Sequence, residues 1–575
     1  MTSTYLGVAC TGHDNAVAIV NENGVLIFAE ATERAVQSKR ALGCPPDDVN
    51  RIGPILREYV DAGARLVVAR TWSDAAVAKI LSGREKVDGG LRAMEAAGSD
   101  RALSQPLREM QYVSDLVTSG LALAGRGAWL HAAEGHDVEF RGFDHHLTHA
   151  AAGCFSSPFE EAACAVVDGY GEDGSCRFFS WRGGRLTPID AGVDRGEGGS
   201  LGLFFGNLTR WCGFDPWKGE EWKVMGLAAY GRRDGDLYRL MSQTLRIDGL
   251  RLVRPASAIP AYVQLQKRAR APGADARTVA DLARTGQEFF ADRMTELLEN
   301  FHELGISPNL VLSGGCALNS AYNGQVVERT GFRHLHVFAA PADDGNAAGA
   351  AWCAWRQDHP EVPRSPLTQS PFVGSAFLRE ALQNLARFGG VSRREADPAE
   401  TAARLLAEGK VVGWAQGRAE LGPRALGNRS ILADPRLPAM KDRLNAEVKF
   451  REEFRPFAPS VLHEHGSDWF ENYQESPYME RALRFRPGVR GRVPAVVHVD
   501  GTGRLQSVRR ETAPTFHALI EAFRRRTGVP LVLNTSFNVM GRPIIHSVED
   551  ALGVFFTTGL DALMIEDRLI EKETR

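Results

Sequence analysis

The sequence predicts a two-domain α/β protein, and three observations carry that prediction. A length of 575 residues exceeds what one hydrophobic core supports. A strand–turn–strand–turn–strand order opens the chain and returns from residue 161 onward. Prolines at 360, 363, 366 and 371 then interrupt the chain where neither helix nor sheet tolerates such a run. The reading is a front domain over 1–360, a linker over 361–375 and a rear domain over 376–575.

Composition narrows the class. Hydrophobic residues make up 44% and charged residues 24%, which is ordinary for a globular chain. A net charge of -3 gives no global pull toward nucleic acid or membrane, so neither is expected as a partner. Cys10, Cys44, Cys154, Cys164, Cys176, Cys212, Cys316 and Cys353 contain no CxxC pair and read as reduced, packed thiols. With no secretory pattern and no bilayer-spanning apolar run, a cytoplasmic location is expected.

In the front domain, TYLGVAC, TGHDN, AVAIV, NENG and VLIFAEA alternate strand and turn. EAACAVVD, GYGEDG, SCRFFSW, RGG and RLTPIDAG repeat that order. A duplicated hairpin with a polar or glycine-rich first turn is what an actin/hexokinase-like (ASKHA) nucleotide-binding domain would show. Residues 75–140 read as mostly helical, with no specific motif, and would shape a substrate pocket. Trp211, Trp217 and Trp222 would line that pocket or pack a core.

Between the hairpins stands Asp144-His145-His146-Leu147-Thr148-His149. In a helix, His145 and His149 share one face, the spacing at which two imidazoles bind one metal. Asp168 closes the apolar run ACAVV, and Asp343 follows LHVFA at a helix entry. Two histidines and two carboxylates suit a borderline divalent ion such as iron, manganese or zinc. The absence of an HExxH frame excludes a zincin-type protease. LVLSGGCALNS feeds a strand into Gly314-Gly315, whose bare N–H groups could receive phosphate.

The rear domain opens with the helical patterns LREALQNLARF and PAETAARLLAEG and the strand KVVGWA. The next stretch, Gly417 to Pro459, holds Arg418, Arg424, Arg429, Arg436, Arg443, Lys449, Arg451 and Arg455 among glycines and prolines. They miss helical spacing, and Gly422-Pro423-Arg424 and Gly427-Asn428-Arg429 set guanidinium groups beside turn N–H groups. The reading is a folded anion pocket. HVDGTGRLQSV adds Arg504 beside a glycine-rich turn, and VPLVLNTSFNVMG sets Asn534, Ser536 and Asn538 at a strand end.

GPRALGNRSILADPR followed by LN..VK.RE.FRPFAP resembles the ATP-dependent O-carbamoyltransferases of antibiotic and nodulation-factor biosynthesis (NodU/CmcH type). Ala419 and Leu421 stand where Met and Phe are common, and Arg542 where Glu is common. The resemblance implies a YrdC-like rear domain and carbamoyl-phosphate and ATP contacts at Arg424, Lys449, Arg455, Arg504, Asn534 and Ser536. It implies an iron(II) site at His145, His149, Asp168 and Asp343; His146 is out of place in that motif and is expected to face the substrate or the ligands' surroundings instead. SGG.ALN and K.MGLA imply nucleotide contacts at Ser313, Gly314, Gly315, Asn319 and Lys223. His13 and Asp14 match a pair placed near the acceptor, where His13 could serve as base. ATP with Mg and carbamoyl phosphate are then co-substrates, and a hydroxyl of a small natural product is the acceptor. A tRNA-modifying carbamoyl or threonylcarbamoyl transferase and an RNA-binding module are the alternatives. Charge opposes the first, and the lack of aromatics alternating with the cations opposes the second.

Overall fold

A computed structural model describes residues 2–80, 111–112, 115–132, 137–191, 198–364, 370–385 and 392–572. The front part holds two five-stranded sheets of one design. The first contains β1 (Ser3–Ala9), β2 (Ala16–Val20), β3 (Leu26–Ala31), β4 (Arg65–Arg70) and β5 (Val138–Gly142) in the order β3-β2-β1-β4-β5. The second contains β6 (Glu161–Gly171), β7 (Gly174–Arg182) and β8 (Arg185–Ile189). A small hairpin of β9 (Arg246–Asp248) and β10 (Arg251–Val253) precedes β11 (Asn309–Ser313) and β12 (His334–His336). Their order, β8-β7-β6-β11-β12, repeats the first. In each, an antiparallel meander is extended by two strands parallel to its first member. The predicted hairpin duplication is therefore a duplication of the whole sheet.

Each last strand leads into a helix: β5 into His145–Ser156 and β12 into Asp343–Asp358. These two helices occupy equivalent places in the halves and pack on each other between the sheets. Their contact depends on small residues. A Cβ on Gly349 would fall 1.9 Å from the Thr148 carbonyl oxygen, and one on Gly7 of β1 would fall 1.7 Å from that of Ala347. Alanines at 150, 151, 152, 347, 348, 350, 351 and 354 complete the seam. Both core strands β1 and β2 are almost continuously buried, as expected when each sheet face is covered.

The rear part is one mixed nine-stranded sheet running from Ser392–Arg394 at one edge to Arg481–Arg484 at the other. At its centre Arg429–Ala433 pairs antiparallel with both Val412–Ala415 and Leu531–Ser536. Helices Pro398–Ala407 and Pro514–Thr527 pack together over it. Its core draws on residues from Phe377 onward.

Residues 365–369 of the expected linker, and 81–110 of the expected helical insertion, lie outside the described residues. The described linker end is tied down. Val373 accepts from Ala29 N of β3 (3.0 Å), Pro371 accepts from Leu421 N (2.7 Å), and Gly374 donates to Ala419 (2.9 Å). Ala419 and Leu421, where the sequence departs from the family wording, are thus buried against this strap. Of the helix expected over LREALQNLARF, the described part is Arg379–Gln383.

Candidate active site

Two clusters stand out. The first forms where the two half-domains meet. His145 and His149 project one turn apart from their helix, whose N-terminus is capped by Asp144 accepting from Leu147 N (2.8 Å). Glu172 holds the same end through His145 N (3.2 Å) and Ser73 N (2.7 Å). Asp168 emerges from β6, and Asp343 opens the equivalent helix of the second half. Their ligand atoms all lie within 4.8 Å of one another, and all four residues are buried.

The geometry suits a divalent ion. His149 Nδ1 donates to the Pro341 carbonyl (3.1 Å), which leaves Nε2 facing Asp343 Oδ1 at 3.2 Å and Asp168 Oδ2 at 3.5 Å. His145 Nε2 lies 3.2 Å from Asp168 Oδ2 and 3.5 Å from Asp343 Oδ1. Trp72 stacks on the His145 ring at 4.9 Å. Burial opposes a proton on His149, but hydrogen bonds to Asp168 and Asp343 raise it to about 10. Two buried carboxylates require a positive charge among them, which the His149 proton or a metal cation in its place would supply.

His146 is not part of this group, although its ring centroid lies 5.7 Å from that of His145. It is fully buried with neither ring nitrogen partnered, and Gly171 lies close against its ring. Burial lowers its pKa to about 3, with His145 adding to the effect. Of the two expectations for His146, its burial fits the ligands' surroundings and not an open substrate face.

His13 Nδ1 is 3.6 Å from Asp343 Oδ2 and 3.1 Å from Asp14 Oδ2. Asp14 sits in the left-handed region (φ 52) and is gripped by Arg40, whose Nη2 and Nε donate to Oδ2 at 2.6 and 2.9 Å. Burial works against the Asp14 carboxylate, yet Arg40 and His13 hold its pKa far below the ordinary range. Arg40 has no counterpart in the sequence reading. Its partner lies 26 residues upstream, so no local pattern announces the pair.

The expected phosphate loop has another use. Gly315 N donates to Asp168 Oδ1 (2.8 Å), Gly314 N to Pro341 O (2.9 Å) and Ser313 Oγ to His149 O (2.9 Å). Asn319 exchanges amide bonds with Gln287 at 3.1 Å and caps the turn through Tyr322 N. These donors are engaged within the protein, so the loop positions Asp168 and Pro341. Gly314 must be glycine, since at φ 90 a Cβ would meet Val167 O at 2.4 Å. Lys223, on the helix Glu221–Ala228, is buried between Glu220 (2.5 Å) and Glu452 (3.3 Å) and so bridges front to rear. Trp211 belongs to the core, whereas Trp222 is half-buried and faces Arg455, with the guanidinium 4.3 Å from its ring.

The second cluster lies in the rear domain, and it divides the arginine stretch in two. Arg429 is fully buried, donating to Gln416 O (2.7 Å), Asn428 O (2.9 Å), Gly417 O (2.9 Å) and Ser375 O (3.3 Å) over the Phe377 ring. Arg418 ties Gly374 O and Ile27 O, Arg436 pairs with Asp434, and Arg443 with Asp561. The turn N–H groups of Leu426 and Arg429 point at Glu420 Oε1 (2.7 and 3.2 Å). These cations hold the fold, a correction to reading the whole stretch as a pocket.

Arg424, Lys449, Arg451, Arg455 and Arg504 gather instead. Lys449 Nζ donates to Ser536 O (2.8 Å), Asn538 O (2.8 Å) and Asn538 Oδ1, and Ser536 Oγ donates to Asn538 Oδ1 (2.8 Å). Asn534 Nδ2 is spent on Ser460 Oγ, Ala425 O and Gln506 Oε1, leaving Oδ1 without a partner. Arg455 pairs with Glu452 (2.5 Å). Among the described residues, Arg424 and Arg504 have no side-chain hydrogen bond or ion pair. Burial, then Arg504, depresses the pKa of Arg424; burial brings Arg504 to about 10. Burial and then Arg455 bring Arg451, a residue the sequence reading did not single out for the site, to about 9. Arginine does not give up its proton under ordinary conditions, so these shifts measure electrostatic cost.

A duplicated α/β part with a cluster of two histidines and two aspartates at its midline, joined to a rear part carrying a cluster of cations, defines the class of this α/β protein. The chain belongs to the carbamoyltransferase family: the profile of the carbamoyltransferase N-terminus matches residues 4–352 and that of the C-terminus 403–572. Nodulation protein NolNO of Sinorhizobium fredii is 38% identical across 75% of this chain and 64% of its own length, so this chain spans less than two thirds of it. The uncharacterized protein sll1178 of Synechocystis is 33% identical across 99% of this chain and 96% of its own. Nodulation protein U of S. fredii is 30% identical across 94% of both. Among solved structures, full-length HypF in its phosphate- and nucleotide-bound form aligns over 63% of this chain and 56% of its own, with 15% identity and a TM-score of 0.35. No helix among the described residues is long and apolar enough to cross a membrane.

Proposed function

We propose that this carbamoyltransferase uses carbamoyl phosphate and ATP to build carbamoyl-adenylate in the rear domain and transfers the carbamoyl group to a hydroxyl of a small molecule in the front domain. The observation that carries the reading is the pair Arg424 and Arg504, half-buried guanidinium groups in one cluster of cations with no carboxylate partner among the described residues. Such a pair costs stability until an anion arrives. Carbamoyl phosphate and the ATP phosphates are anions that use it, and Ser536 stands beside the Lys449 ammonium.

The steps balance. Water releases carbamate and phosphate from carbamoyl phosphate. A carbamate oxygen attacks the α-phosphorus of ATP, and pyrophosphate leaves against Arg424 and Arg504. The acceptor hydroxyl then attacks the carbamoyl carbon, its proton passing to His13, and AMP departs. Asp14, fixed by Arg40, orients the His13 ring through Nδ1. His145, His149, Asp168 and Asp343 would hold a divalent ion, Fe(II) in our reading, which supplies Lewis-acid polarisation of the carbamoyl carbonyl. The division is a front catalytic unit over 1–360 and a rear activating unit over 376–575.

Incubation with carbamoyl phosphate and Mg-ATP, without acceptor, tests the first half. Phosphate and pyrophosphate release is expected. Release of neither removes the adenylation step.

A further inference from the structure

One short segment, residues 34–40, touches the supports of both clusters. Arg34, 3% exposed, donates Nη2 to Gly422 O at 2.8 Å and reaches Glu420 O at 3.5 Å, holding the loop that carries Arg424. Its Nη1 is buried without a partner. Gln37 Nε2 donates to Arg34 O (2.9 Å) and to Ile544 O (3.0 Å). Arg542 Nη1 donates in return to Gln37 O (3.2 Å), and Asn538 Nδ2 to Arg542 O (2.7 Å). The second rear loop, with Ser536 and Asn538, is therefore clasped by the same segment. On its other side Arg40 grips Asp14, and Arg40 Nη1 donates to Pro216 O (2.8 Å).

Two further features argue for a role beyond packing. Gln37, Arg40 and Ala41 adopt φ of 49, 59 and 43°, a left-handed backbone in three non-glycine residues out of five. Such a backbone is strained and persists where its surroundings over-determine it. Gly422, the residue Arg34 holds, sits so near the metal-side segment that a Cβ would meet Ala339 O at 2.2 Å. Ala339 precedes Pro341, which accepts from His149, by two residues.

We infer that residues 34–40 form a strap that registers the rear anion loops against the front cluster and keeps water from the activated carbamoyl group between them. Arg34 and Gln37 are positioning residues in this inference, which rests on the reading of the previous section. The loss they prevent is hydrolysis: water attacks the carbamoyl carbon, the bond to AMP oxygen breaks, and carbamate leaves and falls to ammonia and carbon dioxide. It also accounts for Arg542, whose side chain closes the clasp from the rear domain.

The test uses the full-length metal-loaded enzyme with carbamoyl phosphate and Mg-ATP, without acceptor. The wild type is expected to give a rapid burst of pyrophosphate near one per chain, followed by slow AMP release. Arg34→Met and Gln37→Ala are expected to keep the burst and to release AMP at least tenfold faster in the steady state, with Arg34→Lys partly restoring retention. Gln37, half-exposed, serves if Arg34→Met does not fold. A steady rate unchanged in both variants, or a burst that falls in step with it, overturns the strap alone. A wild type that consumes no carbamoyl phosphate removes the reading above and the strap with it.

Discussion

Arg424→Met separates a binding cation from a structural one within a single loop. Arg424 and Arg429 lie five residues apart, yet the structure assigns them opposite consequences. Among the described residues Arg424 makes no side-chain hydrogen bond, and the charge that acts on it is that of the like-charged Arg504. Methionine keeps the aliphatic stem, so the unliganded variant is expected to be as stable as the wild type or up to about 1 kcal/mol more so, the like-charge cost being discounted for partial exposure. Loss of a charge-assisted bond to phosphate then costs about 1.5–3 kcal/mol of binding, roughly tenfold to a hundredfold in affinity. Arg429→Met removes donors from the four carbonyls of Gln416, Gly417, Asn428 and Ser375. Unsatisfied buried acceptors cost about 1–3 kcal/mol each, so that variant should be severely destabilised. Denaturant unfolding without ligand, and titration calorimetry with pyrophosphate, read the two effects separately. An Arg424→Met protein that unfolds several kcal/mol more easily, or binds pyrophosphate like the wild type, refutes the assignment.

Three other outcomes are expected. His149→Ala should lose bound metal, measured by elemental analysis, while retaining pyrophosphate release; unchanged metal content would discard the ligand set. His146, at about 3 when folded against 6.5 when unfolded, contributes stability above pH 6.5 that is lost as pH falls toward 3. From pH 7 to 5 its linkage alone removes about 2 kcal/mol, and His146→Phe should unfold with a correspondingly shallower pH dependence. A bound cation nearby shifts His146 in the same direction, so the sign holds with metal present. Gly349→Ala forces apart the helices His145–Ser156 and Asp343–Asp358, since its Cβ would lie 1.9 Å from Thr148 O, and on the proposed ligand set should weaken metal binding at least tenfold without altering a ligand; metal affinity equal to the wild type would show that the seam tolerates the methyl group.

The parts of this molecule that sequence exposes are those whose cause is local. The first turns of the two hairpins, the one-turn spacing of His145 and His149, and the proline run each declare themselves within a dozen residues. Asp168 is legible because it closes an apolar run, and Asp343 because it stands at a helix entry; the strand around Asp168 continues to Gly171. What was not legible depends on chain far away. The two parallel strands that complete the first sheet are separated from its meander by long connections. Whether Arg424 or Arg429 faces an anion follows from the sheet: Arg429 starts a strand paired with Ala415, which turns its side chain under Phe377. The Gly314-Gly315 turn looked like a phosphate cradle because bare N–H groups look alike until their acceptors are placed. Asp168 and Pro341 are those acceptors, and neither is near in sequence.

The position of the metal-ligand cluster follows from the duplication. Each half supplies one helix after its fifth strand, and the halves face each other, so residues at the two helix starts converge on the midline. His145 and His149 come from one half, Asp168 and Asp343 from the other, with His13 added by the first turn of the first half. Ligands that belong to two bodies keep their geometry only if the bodies cannot slide. Glycine and alanine along the helix seam bring backbone against backbone, where a displacement of a few tenths of an ångström already meets repulsion. The rear domain is then docked on the same midline through Gly422 against Ala339, so the cation loop and the His/Asp cluster meet on one short segment, residues 339–343.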